Sequence, residues 1–341
     1  MTHWDVPIRR TTIVATALVF ALAIASVLGG CARKPPVEKS VEGATRVRLQ
    51  MDWFPQTEYG GYYQAVAREF YREAGLDVEF VPGGPGVPAK ESVALGRAEF
   101  GMTDGNDVLV AISRGVPLVI VGAEMQHNPQ GIMFHAENPL ADFTDLDGKT
   151  IMAGAGSAWV EYLKRSRNLK FDLLPLTEDL TSFLADEKFI RQCFVTQEPY
   201  FAAQRGATIG TMLIANSGYD PYRVIYTSRD YLEKNRETVR AFVVASVRGY
   251  VDYISGDPAP AFAALAAANP MMTPDVMQFS LDAMKRLSLV EGDGAAGEHA
   301  GVIQRERIEG QIRILSELGL LGRELKANEV ADFEIFPLES Q

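Results

Sequence analysis

Residues 52–65 read DWFPQTEYGGYYQA, an indole, three phenols and two adjacent glycines in one short segment. Trp53, Tyr59 and Tyr62 are residue types that stack on a flat ring, and Gly60 and Gly61, lacking side chains, let a ring approach. Tyr59, Tyr62, Val66 and Phe70 recur at helical spacing, so Tyr62 rather than Tyr63 shares a face with Tyr59. The plainer use of the same aromatics is core packing. Acceptors stand elsewhere in the chain. Asp104 ends the strand-like run FGMTD, ahead of Asn106 and Asp107, which are good helix N-cap types. Glu198 follows the strand-like run IRQCFVTQ and precedes Pro199. A carboxylate there can accept two hydrogen bonds from one ligand edge, or complement a helix dipole. In GAGS, residues 154–157, backbone N–H groups from Gly154 onward can hold an oxygen at a helix N-terminus, with Ser157 as the alternative N-cap. Tyr219, in the turn SGYDPY, can edge the same cleft.

These residues need a scaffold, and the chain supplies an alternating one. VRLQMDW, LDVEFVPG, FGMTD and PLVIVGAEM read as strands, with helical patterns between them, and Gly75 is placed as a C-cap. The segment NPLADFTDLDGK breaks the rhythm. A second series then runs through TIMAGAGS, FDLLPL, IRQCFVTQ, TIGTMLIANSG and YRVIYTS, and the chain is helical from about Asp230. This βαβ rhythm predicts a mainly parallel α/β architecture of two hinge-linked lobes. The expected lobes are residues 46–138 with 228–341, and residues 139–227, with crossings near 137–145 and 222–230. Strand C-terminal ends facing the cleft are then Trp53, Asp104, Gly154 and Glu198, where ligands bind in such sheets.

The N-terminus has a different character. Arg9 and Arg10 precede an uncharged apolar run that stops at Cys31, the pattern of a secretory signal over residues 1–30. A transmembrane anchor is the competing reading. The tetrad LGGC resembles a bacterial lipobox, in which the cysteine, here Cys31, carries the lipid; this implies a membrane-tethered protein of the cell envelope, on its periplasmic or extracellular face. Residues 31–45 read as the tether. The whole chain carries −11, and the single Asp and two Arg of residues 1–30 leave −12 on the remainder. An acidic surface without a basic stripe argues against a nucleic-acid partner. Cys193, inside an apolar run, reads as a small buried hydrophobe. The three histidines beyond the signal show no metal spacing, GGPGVPAK is not a phosphate loop, and no nucleophile elbow is present, so no catalytic residue, metal or cofactor is expected.

Together DWFPQTEYGGYYQAVAREFYREAGLDV, GRAEFGMTDGNDVLVAISRGVPLVIVGA, FTDLDGKTI, FVTQEPYFAAQRGA and SGYDPYRVIYTSRDYL resemble the family of bacterial solute-binding proteins that also contains the fungal thiamine pyrimidine synthases. The resemblance covers about residues 46–270. It implies a two-lobed, periplasmic-binding-protein-like (type II) receptor that closes on a small molecule and delivers it to an ABC permease. Ligands in such a family include thiamine pyrimidine precursors, riboflavin, and sulfonates or nitrate. WFPQ with YGGYY is most similar to the pyrimidine- and flavin-binding branch. The fungal enzymes use a cysteine-rich motif that this chain lacks. A lipid-anchored sensor would use the same fold.

Overall fold

The computed structural model describes residues 43–154, 156–177 and 179–336. The signal, Cys31 and most of the tether lie outside the described residues. The described residues build two five-stranded sheets. The first contains β1 (Thr45–Gln50), β2 (Leu76–Val81), β3 (Phe100–Asp104), β4 (Leu118–Met125) and, much later in the chain, β10 (Arg223–Ser228), in the order β2-β1-β3-β10-β4. The second contains β5 (Gln130–His135), β6 (Thr150–Ala153), β7 (Asp172–Pro175), β8 (Ile190–Phe194) and β9 (Ile209–Leu213), in the order β7-β6-β8-β5-β9.

Each sheet is mixed rather than mainly parallel. β10 runs antiparallel to β3 and β4, and β5 runs antiparallel to β8 and β9. These two strands are the ones that arrive from the other sheet. A strand entering at the C-terminal end of its neighbours must run against them, and so occupies the same fourth place in both sheets. The chain changes sheets between Met125 and Gln130, and again between Leu213 and Arg223. Both crossings therefore precede the expected segments, and residues 130–135 and 223–227 pair in the sheet opposite to the one expected. An apolar strand packs equally well in either sheet, so its composition carries no record of which one it joins.

The inner strand β10 and the strand β4 at the end of the order are both buried along their whole length, as strands covered on both faces must be. Register brings the chemistry to one end: Arg223 pairs with Asp104 on one side and Met125 on the other. After β1 the chain forms the helix Gly60–Ala67, interrupted at Glu69 in the left-handed region and stopped at Gly75, also at positive φ. That helix lies on the long helix Arg236–Ser255, and here the paired glycines have their structural reason. A Cβ on Gly60 would sit 2.2 Å from the Tyr253 ring, and one on Gly61 2.2 Å from the Tyr250 ring. Gly249 returns the favour, its own Cβ position falling 2.3 Å from the Gly61 carbonyl oxygen. The glycines admit the tyrosines of a neighbouring helix rather than a ligand ring.

Candidate functional site

Between the end of β3 and the start of the helix Ala158–Ser166 lies a cavity of about 380 Å³. Asp104, Asn106, Gln130, Ser157, Trp159 and Tyr219 are among its lining residues. Three sequence-predicted residues, Asp104, Ser157 and Tyr219, thus come together from the two sheets and the second crossing. Asp104 is the N-cap of the helix Gly105–Ser113, its Oδ1 accepting from the Asn106 backbone N–H at 2.8 Å. The capping role expected of Asn106 and Asp107 falls to Asp104, two residues before Asn106. Oδ2 of Asp104 accepts from Asn128 Nδ2 at 2.7 Å, and desolvation raises this carboxyl to about 7. Asn106 is 3 % exposed, donates from Nδ2 to the Tyr219 hydroxyl, and leaves Oδ1 without a partner. Ser157 occupies the N-cap position without making a capping bond. The Gly154 N–H is engaged by Gln192 Oε1 at 3.0 Å, so the backbone donor expected there is already used within the protein.

The aromatic segment divides. Trp53 is 37 % exposed and meets Phe54 edge to face with ring centroids 5.6 Å apart. Tyr59 is buried, and its hydroxyl donates to Asp52 Oδ1 at 2.7 Å. Tyr62 is fully buried, edge-on to Tyr250 at 5.2 Å. Tyr62 is therefore core, and Tyr59 positions Asp52 instead of presenting a free face. Asp52 Oδ2 in turn accepts from Arg223 Nη2 at 2.9 Å, while Arg223 Nε stands 3.5 Å from Glu124 Oε2. Tyr250 donates to Glu124 Oε1 at 2.8 Å, and burial pushes the Glu124 carboxyl up to about 7. The guanidinium is thus hydrogen-bonded to Asp52 and faces Glu124, with its Nε making no hydrogen bond.

Glu198 also departs from expectation. Its Oε2 accepts from the Phe194 backbone N–H at 2.8 Å, tying the end of β8 to the first turn of the helix Glu198–Ala203. It borders a different surface depression, with Leu180, Phe201 and Arg205. Across the same loop the carboxylate that reaches from one sheet's connections to the other's is Glu58. It is 1 % exposed, accepts from the Thr196 hydroxyl, and accepts from Gln197 Nε2 at 3.1 Å. Burial raises its pKa against the pull of those donors. Sequence reading missed Glu58, Asn128 and Arg223 because each owes its role to partners at least 24 residues away. Cys193 is buried as expected, and its thiol is pushed far up by desolvation.

A protein-family profile described as NMT1/THI5 like matches residues 56–261. The chain is 26% identical over 226 residues to the riboflavin-binding protein RibY of Chloroflexus aurantiacus, covering 62% of this chain and 63% of that one. It is 24% identical over 227 residues to the formylaminopyrimidine-binding protein of Halalkalibacterium halodurans, covering 61% and 66%. The matched part thus spans a little under two thirds of either relative's length. Among solved structures, the periplasmic aliphatic sulphonate binding protein SsuA of Escherichia coli superposes with a TM-score of 0.65 at 17% identity, over 83% of this chain and 91% of that one. The α/β architecture of two mixed sheets is therefore that of the periplasmic binding proteins, and by the extent of its profile match the chain belongs to the NMT1/THI5-like family.

Proposed function

We propose that this chain is the extracytoplasmic ligand-binding subunit of an ABC importer, held to the membrane through Cys31, whose lobes close on a small planar nitrogen heterocycle. An aminopyrimidine of the thiamine-precursor type is the preferred ligand, with a flavin second. One observation carries this choice: the Asp104 carboxyl and an unpartnered acceptor, Asn106 Oδ1, line the cavity beside one unpartnered buried donor, Trp159 Nε1, and the buried Arg223 and Arg307 face carboxylates. Arg114 is the guanidinium at the cavity's edge. Arg223 is held by Asp52 and Glu124, and Arg307 by Asp220 and Glu298. A sulfonate or nitrate calls for uncompensated donors, whereas a ring edge bearing N–H groups is matched by acceptors. Trp159 and Tyr219 are aromatic residues lining the cavity, and the half-exposed Trp53 indole is a further stacking surface outside that lining. The names of the two relatives, one binding riboflavin and one formylaminopyrimidine, point the same way.

Among the described residues the cysteine offers no nucleophile for a thiol-based reaction. Cys193 is buried near the end of β8 with a raised pKa, so its thiolate is not available at neutral pH. Native mass spectrometry on protein purified without refolding tests the proposal. A co-purifying mass of an aminopyrimidine or a flavin is the expected result. A sulfonate or inorganic anion in its place would overturn the ligand class.

A further inference from the structure

The two inter-sheet crossings, residues 126–129 and 214–222, are joined by a compact ionic cluster. His127 of the first crossing places Nδ1 2.5 Å from Asp220 Oδ2 of the second. Its other ring nitrogen, Nε2, stands 3.1 Å from Glu298 Oε2. Arg307, on the helix Arg305–Glu317, closes the ring: Nη2 donates to Asp220 Oδ2 at 3.0 Å, and Nη1 to Glu298 Oε1 at 2.8 Å. The same guanidinium donates to the carbonyls of Gln126 and Asp220, one in each crossing. Asp220 Oδ1 further accepts from the Asn128 backbone N–H at 3.3 Å. The charged groups facing His127 are Asp220, Glu298 and Arg307.

A neutral imidazole has one N–H and one lone pair. Flanked by a carboxylate on each nitrogen, either tautomer turns its lone pair on one of them. Only the imidazolium presents a proton and positive charge to both, hydrogen-bonding Asp220 from Nδ1 and pairing with Glu298 across Nε2. With it, two cations balance two carboxylates; without it, the mostly buried cluster holds one net negative charge. We propose that His127 is a proton-dependent pin across the hinge: protonated, it binds the two crossings to each other and to the helix bearing Arg307, and deprotonated, it releases them and frees the lobes to part. The junction between the two sheets would then be held more firmly on the acidic side of neutrality. The hydrogen bond to Asp220 and the two carboxylates, against burial, raise the imidazole above its ordinary value, so the change falls on the alkaline side of that value. Sign follows from the raised value: the tie is fully present below the unfolded imidazole value and lost as pH climbs through the folded one.

The proposal rests on the two crossings and not on which ligand binds, so the two can fail separately. The test is amide hydrogen exchange on the full chain, corrected for intrinsic pH dependence, from about pH 5.5 to about pH 8.5. Wild type should lose roughly tenfold protection in residues 126–129 and 217–222 over that range. His127→Gln should sit at the high-pH level throughout. Glu298→Gln, which removes one flanking carboxylate, should shift the wild-type midpoint to lower pH. Long-range proton–nitrogen NMR of the wild-type histidine side chains gives a readout that needs no variant, and should find both His127 nitrogens protonated at about pH 6. A neutral His127 there, or a wild-type profile without pH dependence at the crossings, would overturn the pin.

Discussion

Glu58 is the residue on which one sheet's connections reach the other's. Its two carboxylate oxygens each take a donor from the loop after β8, Thr196 and Gln197. Glu58→Ala would leave both donors buried without an acceptor, and should destabilise the protein by about 1–3 kcal/mol in urea unfolding. Glu58→Gln keeps one acceptor oxygen and should fall between wild type and Ala. Equal stability of all three proteins would show that the contact contributes nothing. Trp53 carries a different expectation. As a half-exposed indole it should lend about 1–3 kcal/mol to binding a flat ring, by analogy with base–aromatic stacking. Trp53→Ala should therefore weaken an aminopyrimidine in calorimetry with little change in unfolding midpoint. The reverse pattern would make Trp53 structural. Sequence alone separated these residues poorly. Trp53, Tyr59 and Tyr62 share one aromatic motif, and their different burial is decided by Phe80, Tyr250 and the Arg223 that holds Asp52, none of which the motif contains.

At the level of elements, the paired glycines were visible in the sequence while their purpose was not. Gly60 and Gly61 lie within a helix at ordinary φ, so their lack of a side chain serves contact and not backbone conformation. Helix propensity favours Ala over Gly by about 1 kcal/mol. Gly61→Ala should nonetheless destabilise by about 1–3 kcal/mol, because its methyl would drive into the Tyr250 ring. A melting-point increase in Gly61→Ala would contradict the packing described. The strands were legible wherever an apolar run stood between turn residues, as at FGMTD and PLVIVGAEM. β5 was not, because QGIMFH follows β4 closely and its antiparallel pairing is set by β8 and β9, far along the chain. Glu198 was legible as a helix start; that its side chain folds back to Phe194 was not.

For the whole molecule, the buried carboxyls set the direction of the pH response. Asp104 and Glu124 titrate at about 7 in the fold, against about 4 when unfolded. A carboxyl raised in this way binds its proton more tightly when folded, so stability falls as pH climbs between those values. His127, raised by its carboxylate partners, adds in the same direction. Glu99 and Asp332, lowered by Arg48 and Arg236, lose their contribution as pH falls below the ordinary carboxylate range. The urea midpoint should therefore be highest near about pH 5 and lower at about pH 8. A midpoint that rises steadily from one to the other would contradict the burial of these groups. The central claim is a receptor whose cleft matches donors on a flat heterocycle. Its most direct test is titration calorimetry of the purified protein with an aminopyrimidine, riboflavin and an alkanesulfonate in parallel. The account predicts saturable binding of the aminopyrimidine or the flavin, with the sulfonate weaker than both by at least about tenfold, or about 1.4 kcal/mol. Tightest binding of the sulfonate would contradict it.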